Sequence, residues 1–333
     1  MKQRNFELLC ATMLGVGQLC VWVGYDSESF ILESVIYSIH ERNPQVDEHA
    51  GYYGKALFGV YTAIGAVGIL IFGLMPSKNV ANSLESAEKK QGFMDSLKLT
   101  CSTVISLKLI QIVPLTILGG FNVSFWLSIL PTSMNFTKAN AHLTYIQAVF
   151  GLGAGIGEVL TGFFVSSMSK RIKGFGMKPT MVIGTLSVCV YCGLSLVSIP
   201  FEAPMRPTSE KSLWIGQSYP LIFVISFFCG VSDCCINGVR SVICALVLPQ
   251  RRAQSFAVTR MYHAAACMTC FFFSPIIPLY IYTTVLPLLS ICSTFLFFRV
   301  VDNTHTMEKK FSEQVVSSVQ IVQEKPKYIV AAQ

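Results

Sequence analysis

One long apolar stretch, Tyr219–Val247, restricts the possible folds of this chain most strongly. It exceeds the roughly 20 residues that an α-helix needs to cross a bilayer at 1.5 Å per residue. Near its middle it carries Asp233, Asn237 and Arg240 at i, i+4 and i, i+3 spacing, which places all three on one helix face. Charged groups at this depth usually face the interior of a helix bundle and mark function. The stretch predicts a multi-spanning membrane protein, with an Asp–Arg pair that merely joins two helices as the alternative interpretation of the polar face.

The composition agrees with a membrane protein. Of the 333 residues, 52% are hydrophobic and 13% are charged, about half the charged share of soluble proteins. The net charge of +7 comes from basic residues in short segments between apolar runs, which is typical of cytoplasmic loops and not of a nucleic-acid-binding surface. The pairs Cys189/Cys192 and Cys267/Cys270 lie within apolar runs, so we interpret them as small packing residues and not as metal or redox sites.

Eight segments have the length and apolarity of membrane-spanning helices. They are Phe6–Tyr25, Ala56–Met75, Leu107–Leu130, His142–Met168, Met177–Ile199, Tyr219–Val247, Phe256–Phe273 and Leu279–Phe298. When eight helices alternate, the most basic segments fall on one side, which predicts a cytoplasmic central loop, Pro76–Ser106, and a cytoplasmic C-terminus. The acidic segment Asp26–Lys55 is then an outer loop.

A second predicted outer loop, Pro131–Ala141, contains the N-glycosylation sequon Asn135-Phe136-Thr137. Because this loop is short and close to the membrane, the use of Asn135 as an acceptor is left open. At the other end of the chain, the polar segment after Asp302 is predicted to be a loosely ordered cytoplasmic tail.

Gly151, Gly153, Gly155 and Gly157 alternate directly before Glu158 in the fourth predicted span. They form two overlapping GxxxG pairs, which favour close helix packing in a membrane over phosphate binding, because a phosphate-binding loop lies between a strand and a helix. Glu158 is predicted to be protonated, paired or exposed to a cavity. Proton or cation coupling and a hinge or packing role are both open for it.

The seventh predicted span contains Arg260 and His263 in its first turns. Arg260 either reaches the cytoplasmic surface or pairs with Asp233 or Glu158 across a cavity. The lone His263 is interpreted as a packing residue. No Ser/His/Asp set, metal cluster or carboxylate pair of enzymatic spacing occurs in the sequence, so we predict no catalytic residues, no metal site and no cofactor.

Several segments together resemble the uncoordinated-93-like family of the major facilitator superfamily. GLGAGIGEVLTGFFVSSMSKRIKGFGMKP, GVSDCCIN and AQSFAVTRMYHAAA resemble its C-terminal half, and GVGQLCVWVGYDSESF is similar to its fourth helix. The resemblance implies that Glu158, Asp233, Asn237 and Arg260 correspond to polar residues of the family's eighth, tenth and eleventh helices. Arg240 departs from the family, where this position is apolar.

The resulting fold prediction is an all-α membrane protein with a major-facilitator-type helical bundle. Family members have twelve helices, whereas only two are predicted here before the central loop, so the chain is expected to be an N-terminally incomplete member. The predicted organisation is a partial N-terminal half in residues 1–75, a cytoplasmic central loop in 76–106, a complete C-terminal six-helix half in 107–301, and a cytoplasmic tail in 302–333.

The resemblance implies a non-enzymatic regulatory or accessory subunit. The expected partners are the lipid bilayer and a potassium channel or another membrane protein, without nucleic acid, at the plasma membrane or an endomembrane. One alternative is a secondary transporter-like protein that uses Glu158, Asp233 and Arg260 for ion coupling. The other alternative is a nonfunctional truncated form.

Overall fold

The chain folds into α-helices, with no β-strand among residues 9–10, 12–17, 47–75, 93–172, 175–248 and 251–330, which are the residues that this computed structural model describes. The helices are α1 (Asp47–Gly73), α2 (Phe93–Val104), a single turn (Leu107–Ile110), α3 (Val113–Phe136), α4 (Ile146–Arg171), α5 (Met177–Ser198), α6 (Tyr219–Val247), α7 (Arg252–Phe273) and α8 (Leu279–Val330). The predicted all-α membrane class is confirmed.

Five helices within the described ranges are long and apolar enough to cross a membrane: α3, α4, α5, α6 and the first part of α8, Leu279–Thr304. Helix α7 has 22 residues and ends at Phe273 as predicted. Its first half is more polar than the five spanning helices, because it contains Arg252, Arg260 and His263. Helix α1 ends in an apolar part that includes Thr62–Gly73. The first predicted span lies largely outside the described residues.

Helix α3 begins and ends later than the predicted span Leu107–Leu130. Pro114 lies in its first turn, where a missing N–H removes no helical hydrogen bond. A wide π-helical turn, Phe125–Ile129, then interrupts the regular helix. Pro131 is the second residue of the next α-helical segment, Leu130–Phe136, so it does not end the helix. The helix therefore continues through Phe136, where an outer loop was predicted.

Two other segments predicted to be irregular are partly helical. Within the predicted central loop Pro76–Ser106, the amphipathic sequence of α2 forms a helix that packs against α7. The end of the predicted outer loop Asp26–Lys55 belongs to α1. The earlier parts of both loops lie outside the described residues.

The polar tail after Asp302 is also helical, since α8 continues without a break to Val330. No glycine or proline occurs between Asp302 and Pro326, and the segment contains several glutamate, lysine and glutamine residues, which favour helix formation. The sequence analysis did not predict a helix for this segment, and its loose order and cytoplasmic location stay predictions.

Helices α4 and α6 form the most extensive contact of the bundle, through glycines on both sides. A Cβ atom at Gly157 would overlap the backbone carbonyl of Phe227, and a Cβ atom at Gly230 would overlap the backbone carbonyl of Ala154. Gly155 instead has no atom within 4 Å of its Cβ position. Close packing was predicted from two GxxxG pairs, and the structure assigns it to Gly153/Gly157, while Gly151/Gly155 lies on the open side.

Helices α3 and α7 form a second close pair. A Cβ atom at Gly120 would lie 2.6 Å from the backbone carbonyl oxygen of His263 and 2.7 Å from the Cβ atom of Ala266. The thiol of Cys267 donates a hydrogen bond to the Gly120 carbonyl oxygen at 3.3 Å. This backbone approach brings the polar residues of α7 close to α3.

Buried polar side chains connect the remaining helices. The Tyr191 hydroxyl on α5 donates to Oδ1 of Asn122 on α3 at 2.7 Å, and Ser232 on α6 donates to the same oxygen at 3.4 Å. The hydroxyls of Thr185 on α5 and Thr294 on α8 lie 2.6 Å apart. Three helices thus meet at Asn122, and hydroxyl groups join α5 to α8.

The loop between α5 and α6 closes one end of the bundle. The backbone N–H of Thr208 donates to the carbonyl oxygen of Phe136 at 2.9 Å, and the N–H of Leu279 donates to Phe201 at 2.9 Å. Arg206 in this loop forms an exposed ion pair with Glu202, and the hydrogen bonds from its guanidinium raise the pKa of Arg206. The loop therefore contacts the end of α3 and the start of α8.

At the opposite end, the Lys178 ammonium lies 2.6 Å from an Asp302 carboxylate oxygen and 5.5 Å from the centre of the Phe298 ring. The Asp302 side chain is largely exposed and that of Lys178 is partly exposed, so we expect Lys178→Met to lower the free energy of unfolding by no more than about 1 kcal/mol. Thermal unfolding at low and high ionic strength would measure the effect, which should shrink as salt increases. A loss above about 2 kcal/mol would contradict a surface pair of ordinary strength.

Candidate functional site

The centre of the site is the carboxylate of Asp233 on α6, which is half-buried. Its Oδ1 accepts a hydrogen bond from Nδ2 of Asn237 at 2.8 Å, which agrees with the i, i+4 spacing of the two residues. The same oxygen accepts a hydrogen bond from the indole Nε1 of Trp126 at 3.3 Å. Trp126 lies in the wide turn of α3, so the carboxylate connects α6 to the irregular part of α3.

Arg240 lies almost two turns further along α6, and only 4% of its surface is exposed. It forms no ion pair within 4 Å with Asp233 or with any other carboxylate whose side chain the structure describes. Its side chain instead lies against α3, where a Cβ atom at Gly119 would be 3.9 Å from Cδ of Arg240. A direct Asp–Arg pair, the alternative interpretation of this face, is therefore absent from the described part of the chain.

Glu158 and Arg260 lie on the two helices that flank α6 in the site. Glu158 on α4 is half-buried and interacts electrostatically with Cys234 of α6. Arg260 on α7 is exposed. It interacts electrostatically with Asp233 and Arg240 but forms no ion pair with Asp233 within 4 Å. Four helices thus contribute to the site, since α3 supplies Trp126.

Sequence reasoning missed the contribution of Trp126 and treated His263 as ordinary packing. Nδ1 of His263 would lie 3.4 Å from a Cβ atom at Gly119, is buried, and has no hydrogen-bond partner among the described residues. An indole N–H within an apolar span needs a hydrogen-bond acceptor, and this requirement could have identified Trp126 as a partner of the carboxylate. His263 could have been identified as part of the site because it is a lone imidazole on the same helix as Arg260.

The sequon residue Asn135 lies in the last turn of α3 and is half-buried. The hydroxyl of Thr137, which a sequon also needs, is buried and donates a hydrogen bond to the Ser133 carbonyl oxygen at 2.9 Å. A sequon in use normally lies in a surface loop. Glycosylation of Asn135 stays a prediction.

The arrangement offers one hydrogen-bonded carboxylate and several cationic or polar groups within the spans. In the described ranges, no group of three or more His, Cys, Asp or Glu side chains is placed to hold a metal ion. The Asp233 carboxylate could hold a proton or a monovalent cation, or accept a donor from a partner helix. These are binding and coupling roles, in which no covalent bond is formed or broken other than by proton transfer.

Comparison with known proteins adds one match. Residues 2–298 match a protein family described as ion channel regulatory protein UNC-93. The matched range includes α1 to α7, the first part of α8 and all residues of the site. No solved structure matches the chain.

Proposed function

Since the chain belongs to the UNC-93 family of ion channel regulatory proteins, we propose that it acts as a regulatory or accessory subunit of an ion channel, with a potassium channel as the first candidate. The observation that carries this proposal is the family match, which extends over residues 2–298. Another membrane protein as the regulated partner is the second candidate within the same class.

The polar groups of the site support a partner within the membrane. The carboxylate of Asp233 is half-buried and the guanidinium of Arg260 is exposed, although both lie on the bundle helices α6 and α7. A charged group in contact with lipid is unfavourable by about 2.5–3.5 kcal/mol on insertion scales. Contact with polar groups of a partner helix would remove this cost, because hydrogen bonds between helices stabilise association in membranes.

The proposal includes an arrangement of the chain. Residues 107–301 correspond to the C-terminal six-helix half of a major facilitator, and this half carries the contact with the channel. Residues 1–75 form a partial N-terminal half. The central loop, residues 76–106, and the tail, residues 302–333, lie in the cytoplasm, as the distribution of lysine and arginine indicates.

Expression of potassium channels with and without this chain, in cells that lack it, would test the proposal. We expect co-purification of a channel with the chain and a change in its current. Asp233→Asn should weaken the association about tenfold, because a hydrogen bond to a charged group contributes about 1.5–3 kcal/mol. Glu158→Gln tests the second carboxylate, and Glu202→Gln in the exposed loop is the control.

The outcomes separate the function from the site. If no channel co-purifies or changes its current with the wild-type chain, the regulatory function is wrong. If channels respond equally to the wild-type chain, Asp233→Asn and Glu158→Gln, the regulation stands and the assignment of the site is wrong.

One observation favours a secondary transporter as the alternative. The half-buried carboxylate of Asp233 lies within a span and accepts hydrogen bonds from Trp126 and Asn237. Such a group can couple transport to a proton or a sodium ion. Ion-dependent solute uptake by the purified chain alone in proteoliposomes, lost in Asp233→Asn, would favour this alternative over regulation.

A further inference from the structure

Arg240 is the one charged side chain among the described residues that is buried, with 4% of its surface exposed. It lies within the spanning helix α6, and no carboxylate of the described part of the chain reaches it within 4 Å. An uncompensated buried cation is strongly unfavourable in a protein interior and in a membrane. Asp233 attracts it electrostatically from beyond ion-pair distance, and an anionic ligand from outside the described bundle would complete the compensation of its charge.

The groups around Arg240 are mainly cationic or weakly polar. Arg260 and His263 of α7 both interact electrostatically with it, and the thiols of Cys244 and Cys267 lie close by. Among the described residues, the carboxylate in electrostatic range is that of Asp233, whose Oδ1 already accepts hydrogen bonds from Trp126 and Asn237. The cluster thus contains two guanidinium groups and an imidazole against one engaged carboxylate.

His263 is a second polar group of this cluster, and its imidazole also interacts with the Thr116 backbone of α3. Its Nδ1 is buried and has no hydrogen-bond partner among the described residues. Buried polar atoms in native structures normally have a partner. Because the imidazole and the Arg240 side chain lie against the same residue of α3, Gly119, a ligand that reaches one of them is close to the other.

The cluster lies near one membrane surface. Arg240 precedes the end of α6 at Val247 by about 10 Å along the helix axis, and Arg260 follows the start of α7 at Arg252 by about 12 Å. Because α6 and α7 are consecutive, these two ends lie on the same side, which the basic residues predict to be cytoplasmic. Arg260 is exposed and within electrostatic range of the buried Arg240.

We propose that Arg240, Arg260 and His263 form a binding site for a phosphate group, carried either by an acidic phospholipid of the cytoplasmic leaflet or by free phosphate. A guanidinium binds phosphate through two parallel hydrogen bonds, and two arginines and an imidazole provide enough donors for its oxygens. The proposal is independent of channel regulation, because it concerns a ligand that stabilises the bundle itself.

Thermal unfolding of the purified chain in neutral detergent tests the site. Inorganic phosphate and a short-chain phosphatidic acid are titrated separately, with potassium chloride at equal ionic strength and neutral phosphatidylcholine as the respective controls. A ligand that binds only the folded state raises Tm, by about 4–8 °C when the ligand concentration is near 100 times its Kd. Arg240→Gln should abolish this rise, and Arg240→Lys should retain part of it, because lysine keeps the charge and loses the paired hydrogen bonds.

Arg260→Gln provides a second variant whose folding is not in question, because the side chain is exposed. It should weaken binding about tenfold, while the matched exposed variant Arg206→Gln in the loop between α5 and α6 should bind as the wild type does. A Tm rise with both ligands or with phosphate alone supports the site with free phosphate as a sufficient ligand, and a rise with phosphatidic acid alone supports it with lipid as the source. No rise with either ligand, an undiminished rise in Arg240→Gln, or wild-type affinity of Arg260→Gln would overturn the proposal.

Discussion

Gly157→Ala is expected to lower the free energy of unfolding by at least about 2–3 kcal/mol, because the new methyl group would overlap the backbone carbonyl of Phe227 on α6. A flexible side chain could move aside, but a backbone atom of the facing helix cannot move without separating α4 from α6. Gly153 and Gly230 lie in the same contact, so the loss of packing would extend along both helices. We expect a lower Tm and a smaller fraction of monodisperse protein after purification in detergent.

Gly155→Ala is the matched control, two residues away on the same helix. It has the same chemistry and the same change in helix propensity, but no atom lies within 4 Å of its Cβ position. Its Tm should equal or slightly exceed that of the wild type, since alanine favours a helix more than glycine does. Equal Tm values for the two variants would mean that the α4–α6 contact is looser than the structure indicates.

Tyr191→Ala is expected to destabilise the bundle by about 3–5 kcal/mol, as for other large-to-small aromatic substitutions in a core. Tyr191 is fully buried, and its ring stacks on Phe125 with 6.1 Å between the ring centres. Tyr191→Phe keeps this ring and removes the hydrogen bond to Asn122, so it should cost only about 1 kcal/mol. The two variants are compared by their Tm values and by the fraction of each that stays folded in detergent.

The exposed Tyr280 provides the control for a lost hydroxyl, and Tyr280→Phe should unfold as the wild type does. If Tyr191→Phe is as damaging as Tyr191→Ala, the hydrogen bond to Asn122 and not the packing of the ring dominates. If Tyr191→Ala is tolerated, the residue does not hold α5 against α3.

The most apolar parts of the fold could be predicted from the sequence. Helix α6 has the predicted bounds, Tyr219–Val247, because a long apolar run is followed by the Pro249-Gln250 pair and begins with a proline in its first turn. The shared face of Asp233 and Asn237 follows from the 3.6-residue period and is confirmed by their hydrogen bond.

The remaining features depend on contacts between distant parts of the chain. The two GxxxG pairs of α4 have identical spacing, so only the position of α6 decides that Gly153 and Gly157 pack. Trp126 and Asp233 are 107 residues apart, and no local pattern relates them. The polar tail was interpreted from its composition alone, although its lack of glycine and proline allowed the helix that forms.

The wide turn in α3 affects where a residue can be deleted from this helix. Before this turn, Gly120 is held against α7, and after it, Phe136 is held by the loop at Thr208. Each residue of a regular helix rotates the next by about 100°, so a deletion elsewhere in α3 would turn one of these ends away from its contacts. A deletion inside Phe125–Ile129 would convert the turn to regular helix and leave both ends in place. The same turn supplies Trp126 to Asp233, so a deletion that preserves the fold would still change the geometry of this hydrogen bond of the site.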